Sequence, residues 1–86
     1  MAKYDLVIKR KALKELERIQ QPAKEKILQK IELLANEPLP DGVRKLEGED
    51  DLFRIRQGDY RAVFAINFKD HKVTVLTVLH RSDIYK

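Results

Sequence analysis

The feature that most constrains the fold is the segment 53–61, which reads FRIRQGDYR. Apolar residues alternate with arginine at a period of two, which is typical of a strand with one buried face. Gly58–Asp59 is a two-residue turn signal between two such runs. The pattern therefore predicts a β-hairpin in which Arg56 lies directly opposite Arg61.

The predicted hairpin brings arginines together on one face of the sheet. With this register, Arg54, Arg56 and Arg61 share the face that the apolar residues leave free. Like charges directly opposite each other in a ladder are destabilising. Arginine also binds phosphate through two parallel hydrogen bonds, whereas lysine acts more as a point charge. The hairpin therefore indicates a site for an anionic group, and phosphate is the simplest choice.

Length and composition limit the chain to one modest domain. With 86 residues we expect a single domain over 1–86, and 43% hydrophobic residues fit a folded protein. The sequence has no run of 18 apolar residues, so we expect no membrane-spanning helix, and the N-terminus carries no apolar signal region. The absence of cysteine excludes disulfides and thiolate chemistry. We expect a cytoplasmic protein with no membrane association.

The net charge of +4 has two interpretations. Lysine dominates the first half of the chain, whereas Arg54, Arg56, Arg61 and Arg81 all lie in the second half. A small basic domain with arginines on predicted strands suggests a nucleic acid partner. The alternative is a basic surface that only aids solubility, and charge alone does not separate the two.

The first half of the sequence predicts one strand and two helices. Residues Tyr4–Lys9 alternate as a strand with one buried face. From Lys11 the spacing becomes helical, and Pro22 is a good first residue for a second helix. The predicted inward positions are Leu13, Leu16 and either Ile19 or Gln20 in the first helix and Ile27, Leu28, Ile31, Leu34 and Ala35 in the second. We expect these helices to form an antiparallel hairpin.

The second half predicts three strands after a long loop. The loop covers Leu39–Asp51, and the strands are Leu52–Gln57, Tyr60–Asn67 and Lys72–His80. The last strand is apolar on both faces, which favours a central position in the sheet. The order β-α-α-β-β-β predicts an α+β fold in which a two-helix hairpin packs on a mostly antiparallel twisted sheet.

Few side chains are left that could carry chemistry. His71 and His80 lack ligand partners at a useful spacing, and the glycines are isolated, so we expect no metal, no cofactor and no Gly-rich phosphate loop. The remaining candidates are the arginines and Tyr85. Each also has a structural interpretation: Arg54 pairs with Asp51, Arg56 and Arg61 pair with Glu47 or Glu49, Arg81 pairs with Asp83, and Tyr85 packs on the sheet.

Four segments resemble the RelE/ParE superfamily of bacterial and archaeal toxins, and its RelE-type branch in particular. They are ALKEL at 12–16, VRKLEG at 43–48, the hairpin 53–64 and the ending LHRSDIY at 79–85. The hairpin and the ending are the specific parts. The resemblance covers essentially the whole chain and implies the RelE-like fold, with two helices against a twisted antiparallel sheet.

The resemblance also implies an activity. RelE-type toxins enter the A site of the small ribosomal subunit and cut messenger RNA there without a metal, by attack of a 2′-hydroxyl on the adjacent phosphate. Such a protein is an endoribonuclease, or mRNA interferase, that inhibits translation. The matching positions imply catalytic roles for Arg54, Arg56, Arg61, Arg81 and Tyr85. We also expect RNA binding by Arg44, Lys45 and His80.

The chemistry of these residue types agrees with such roles. The transition state is a phosphorane-like dianion, which preorganised cations stabilise. Tyr85 would act as general base, or orient the 2′-hydroxyl, or stack on a base. Arg54 is a poor general acid because arginine does not release its proton, and His80 is the better donor for the leaving group.

The resemblance implies a partner as well. A toxin of a type II toxin–antitoxin system is expected to bind an acidic, RelB-like antitoxin over the arginines, in a higher-order hetero-oligomer. The main alternative is a ParE-like inhibitor of DNA gyrase that binds without cutting RNA, and a third is a non-catalytic RNA-binding domain. The combination of Arg81 and Tyr85 favours the nuclease, because ParE-like relatives generally lack it.

Overall fold

The computed structural model describes residues 3–46, 48 and 51–84. Its elements, in chain order, are β1 Asp5–Ile8, α1 Arg10–Glu17, α2 Ala23–Leu33, β2 Arg44–Lys45, β3 Leu52–Gln57, β4 Tyr60–Asn67, β5 Lys72–His80 and the single turn α3 Arg81–Ile84. The bounds of β3, β4 and β5 are those that the sequence predicts. No helix in the described part of the chain is long and apolar enough to cross a membrane.

The strands form one five-stranded sheet in the order β1-β5-β4-β3-β2. Strand β1 runs parallel to β5, and every other neighbouring pair is antiparallel. The predicted α+β class, with helices on a mostly antiparallel sheet, is therefore confirmed. Strand β5 is an inner strand, as its apolar sequence predicts, but β4 occupies the middle. Strand β2 lies within the predicted loop Leu39–Asp51, because two polar residues carry no periodicity that would reveal a strand.

Both long helices cover the same face of the sheet, which we call the helix face. Helix α1 packs on β5, and α2 packs on β3 and β4. The largest fully buried side chains are those of Phe64, Ile27, Ile31, Leu34, Val73 and Val75. Leu13 was wrongly predicted as buried: it is 46% exposed, and Ala12, Leu16 and Ile19 form the buried stripe instead. Helix α2 begins at Ala23, one residue after the predicted Pro22.

An extra residue in β5 explains its apolar sequence. Val63 of β4 pairs with Thr77, whereas the next residue, Phe64, pairs with Val75, so Leu76 is a β-bulge. The bulge shifts the alternation by one position. Val75 and Val78 therefore both point into the core, although an unbroken strand would place them on opposite faces.

A carboxylate of α1 completes the edge of β5. Strand β1 ends at Ile8, so its backbone does not pair with the last part of β5. There the Oε1 atom of Glu15 accepts a hydrogen bond from the backbone N–H of Val78 at 3.0 Å and from the Thr77 hydroxyl at 2.7 Å. Both contacts are partly buried. Glu15 therefore joins α1 to the sheet and satisfies a backbone donor that would otherwise lack a protein partner.

We expect Glu15→Ala to lower the free energy of unfolding by about 1–3 kcal/mol, because it leaves the Val78 N–H and the Thr77 hydroxyl without their acceptor. Glu15→Gln retains an acceptor oxygen and is expected to cost less than half as much. Urea unfolding followed by circular dichroism measures both values.

Glu17→Ala is the matched control, since Glu17 lies on the same helix but is exposed. It is expected to change the stability by less than about 0.5 kcal/mol. An equal loss for Glu15→Ala and Glu17→Ala would show that helix propensity, rather than the link to β5, sets the effect.

Candidate functional site

The β3–β4 hairpin has the predicted register. Gly58 has φ +60°, which suits the first central position of a type II′ turn, where glycine adopts a positive φ without strain. Arg56 pairs with Arg61 across the ladder. The turn and the buried alternate residues Phe53 and Ile55 together hold the arginines on the side of the sheet away from the helices.

A fourth arginine joins this surface through the short strand β2. Arg44 pairs with Arg54, so the two side chains stand on the same face. We call this surface the arginine face and define it by Arg44, Arg54, Arg56 and Arg61. An open concavity of about 490 Å³ lies over it, lined by Gly42, Gly58 and three of the four arginines.

The arginine face carries uncompensated charge in the part of the chain that the structure describes. None of its four side chains has a described carboxylate within 4.0 Å. Arg56 donates from Nε to the Gly58 carbonyl at 3.3 Å, and Arg44 donates to the Val43 carbonyl at 3.2 Å. These contacts position the guanidinium groups without neutralising them. The alternative pairing of Arg54 with Asp51 is not formed, and Glu47 and Glu49 lie outside the described residues.

Arg81 lies beside the hairpin turn. Its backbone N–H donates to the Asp59 carbonyl at 2.7 Å, and its guanidinium is 3.9 Å from the Asp59 carboxylate. The side chain is 62% exposed, so this ion pair is a weak one. Arg56 contacts the other turn residue, Gly58, so Arg56 and Arg81 flank the same turn. The sequence-based alternative, a pair between Arg81 and Asp83, is replaced by this contact with Asp59.

Two of the predicted RNA-binding residues lie on the other face of the sheet. Lys45 pairs with Phe53 and so shares the helix face. His80 pairs with Tyr60, and the two rings meet edge to face with centroids 5.1 Å apart, also on the helix face. The structure therefore does not bring Lys45 or His80 together with the arginine face. The candidate base Tyr85 lies outside the described residues.

The His80 ring is held by the turn that follows it. Its Nδ1 atom accepts a hydrogen bond from the backbone N–H of Ser82 at 3.1 Å and lies 2.9 Å from the Ser82 hydroxyl. The backbone N–H of His80 in turn donates to Asp83 at 3.2 Å. Because a backbone N–H only donates, Nδ1 is the acceptor, and the proton of the neutral ring resides on Nε2.

Sequence reasoning missed Glu15 and the cavity beside it. Glu15 reads as an ordinary charged helix residue, since nothing local distinguishes it from Glu17. The need for Glu15 follows only from a long-range feature: β1 is shorter than β5, so the last part of β5 lacks a strand partner at that edge. Within residues 3–46, 48 and 51–84, no three acidic or histidine side chains are grouped so as to hold a metal ion.

Comparison with known proteins identifies the family of this fold. Residues 6–85 match the sequence model of a family described as the ParE toxin of the type II toxin–antitoxin system parDE. A candidate toxin named RelE1 from Methanocaldococcus jannaschii is 25% identical over 87 residues, which covers 98% of this chain and 97% of that protein.

Solved structures that are similar to this fold include RelE toxins. The archaeal RelE–RelB complex of Pyrococcus horikoshii OT3 contains a chain 32% identical to this one, with a TM-score of 0.81 over 92% of this chain and 96% of that one. The isolated Escherichia coli RelE toxin is 27% identical, with a TM-score of 0.78 over 95% and 90% of the two chains. The chain therefore belongs to the ParE toxin family within the RelE/ParE superfamily, and it is a RelE-like toxin of a type II toxin–antitoxin system.

Proposed function

We propose that this toxin is a ribosome-dependent endoribonuclease that cuts messenger RNA in the A site of the small subunit. The observation that carries the proposal is the arginine face: four guanidinium groups side by side on an open sheet surface, none paired with a described carboxylate. The similarity to RelE toxins supports the same function. A binding site for a phosphate backbone needs this charge density and this exposure.

The proposed reaction uses positioned cations to stabilise the negative charge that develops on the phosphate. The 2′-hydroxyl of one nucleotide attacks the adjacent phosphorus, the bond to the 5′-oxygen breaks, and the products are a 2′,3′-cyclic phosphate and a free 5′-hydroxyl. Arg54, Arg56 and Arg61 stabilise the extra negative charge that develops on the phosphate oxygens. Arg81, across the hairpin turn from Arg56, contacts the same phosphate from the other side.

Protons must also move in this reaction. The 2′-hydroxyl loses one, and the leaving 5′-oxygen gains one. We assign the first transfer to Tyr85, either as the base or as the group that orients the hydroxyl. The arginine face lacks a described side chain that releases a proton readily, so we assign the second transfer to water. His80 lies on the helix face and is not assigned to this step.

The proposal extends to a partner. RelE toxins from Pyrococcus horikoshii and Mycobacterium tuberculosis have been solved in complex with their antitoxins. We infer that an acidic, RelB-like antitoxin covers the arginine face of this chain. Half-exposed Val63 and Leu79 flank Arg61 on that face, so the surface suits a segment with apolar residues beside carboxylates.

Inhibition of DNA gyrase is the second candidate, because the matching family model is that of ParE toxins. One pair of assays separates the two functions. Purified toxin is incubated with programmed ribosomes and, separately, with naked messenger RNA, and the 5′ ends are mapped. New ends only on ribosomes support the nuclease. The second assay measures DNA supercoiling by gyrase in the presence of the toxin. No RNA cleavage in either sample, together with loss of supercoiling, supports the ParE-like alternative.

We expect Arg81→Ala to slow cleavage on ribosomes by about 10²–10³-fold, the usual effect of removing one donor to a developing anion. Since Arg81 is mostly exposed, the unfolding midpoint should stay within error. Arg10→Ala is the matched control, because Arg10 is an exposed arginine at the start of α1. Equal rates for Arg81→Ala and Arg10→Ala would remove Arg81 from the reaction.

We expect Arg44→Ala to reduce the salt dependence of RNA binding, whereas Lys45→Ala leaves it unchanged, because the two neighbours lie on opposite faces. Each lost phosphate contact should lower the slope of log K against log salt by about 0.7 for single-stranded RNA. Fluorescence anisotropy with a 2′-O-methyl RNA, which cannot be cleaved, measures this slope. Identical slopes for the two variants would contradict binding by the arginine face.

We expect Tyr85→Phe to slow cleavage by about 10²–10⁴-fold, the range for loss of a general base, without weakening the binding of toxin to ribosomes. Tyr4→Phe serves as the control, because Tyr4 stacks on His71 and takes no part in the proposed site. If Tyr85→Phe lowers binding and cleavage in parallel, the Tyr85 hydroxyl holds RNA and has no part in the proton transfer.

A further inference from the structure

A second concave site lies on the helix face, at the end of the sheet that carries the hairpin turn. We call it the rear cavity. Its volume is about 220 Å³, and its lining residues are Glu15, Arg18, Ile19, Tyr60, Val78, His80 and Asp83. The floor is apolar, since Ile19 and Val78 are almost fully buried. The T-shaped pair of Tyr60 and His80 provides an aromatic wall.

Several polar atoms at this cavity have no described partner. Glu15 uses only Oε1 for its two hydrogen bonds to β5, so Oε2 is available to a ligand. The Arg18 guanidinium has no described ion pair. On His80, Nδ1 is occupied by Ser82, so Nε2 is the nitrogen left without a described partner. An apolar floor with a few polar groups at the rim is the usual composition of a small-ligand site.

The rear cavity adjoins the arginine face at the end of the sheet. Tyr60 lines the cavity, and the next residue, Arg61, stands on the arginine face. In the same way His80 lines the cavity, and Arg81 follows it beside the turn. A nucleotide whose phosphate is held near Arg61 and Arg81 can therefore direct its base around the ends of β4 and β5.

The polar groups select one base by their chemistry. A carboxylate oxygen accepts hydrogen bonds only, and a guanidinium only donates them. Guanine offers the N1–H and N2–H₂ donors on one edge and the O6 and N7 acceptors on the neighbouring edge. Adenine and cytosine offer a single amino group to a carboxylate, and uracil a single imide N–H. Guanine is therefore the base that offers two adjacent N–H groups to Glu15 while its O6 and N7 acceptors face Arg18, whereas each other base offers the carboxylate one donor group.

We propose that the rear cavity is a nucleobase subsite that reads a guanine of single-stranded RNA, with Glu15 Oε2 accepting from its N1–H and N2–H₂, Arg18 donating to O6 and N7, and the base lying against Tyr60 and His80. The assignment rests on the proposed function for its RNA substrate. The cavity itself is separate from the arginine face, because it lies on the other side of the sheet.

The test is an NMR titration of the full chain with the four nucleoside 5′-monophosphates. All four carry the same phosphate, so differences between them report the base. GMP is expected to bind with a dissociation constant on the order of 1 mM and to shift the amides of Thr77, Val78 and Ser82. AMP, CMP and UMP are expected to bind at the cavity about tenfold more weakly or not at all.

Glu15→Gln is the decisive variant. Its amide oxygen still accepts from Val78 and Thr77, but an amide nitrogen replaces Oε2 and opposes the guanine donors. It is expected to weaken GMP at the cavity at least tenfold, whereas the matched control Glu17→Gln leaves binding unchanged. Arg18→Gln, a change at an exposed position, is expected to weaken GMP binding to the same extent. It leaves the hydrogen bonds of Glu15 at the edge of β5 intact.

Three results would overturn the proposal. These are shifts confined to residues of the arginine face, equal shifts with all four nucleotides, and GMP binding that survives both Glu15→Gln and Arg18→Gln. A fifth probe, N-acetyl-arginine amide, tests for a protein ligand. If it shifts the cavity residues and GMP does not, the cavity accepts a side chain of a protein partner and the proposal is wrong.

Mapping of cleavage sites separates this inference from the proposed function. If the wild type cuts on ribosomes, Glu15→Gln should lower the preference for guanine at one message position about tenfold while Glu17→Gln keeps it. Cleavage with unchanged preference, together with no GMP binding, overturns the subsite alone. GMP binding at the cavity without any cleavage overturns the nuclease and leaves the subsite intact.

Discussion

The register of the β3–β4 hairpin is the constraint on which the other features of the site depend. Side chains alternate across a strand, so a slip of one residue would turn the arginines into the core and Phe53 and Ile55 into solvent. The two-residue turn at Gly58–Asp59 excludes that slip from one end. The buried residues exclude it along the whole length of the hairpin. The same few residues therefore fix the fold and orient its charge.

That register has an energetic cost that the fold tolerates. Arg56 opposite Arg61, and Arg44 opposite Arg54, are like-charge pairs without a described counter-ion. Exposure limits the repulsion, because water and salt screen charges at a surface. The core on the helix face contributes far more stability than the repulsion removes. An anionic ligand would relieve this repulsion on binding, and the like-charge pairs therefore support the proposed phosphate and antitoxin partners.

The local parts of this architecture were predictable, and the long-range parts were not. The three strands of the second half were predicted at their observed bounds because alternation and the turn signal lie within a few residues of each other. Leu13 was misassigned because Ala12 is small and carries little apolar weight in a helical pattern. Strand β2, the bulge at Leu76 and the contact of Glu15 with β5 depend on partners distant in sequence, and no local period encodes them.

The mismatch in length between β1 and β5 links the two sides of the molecule. Because β1 stops early, the edge of β5 needs an acceptor, and Glu15 supplies it with one oxygen. The other oxygen is then available at the rim of the rear cavity, directly behind the end of the arginine face. A structural requirement of the sheet thus places a carboxylate where the domain otherwise concentrates positive charge. Phosphate is disfavoured beside that carboxylate, whereas a base with adjacent donors is favoured. In the proposed binding mode, the two faces take the two chemically different halves of one nucleotide.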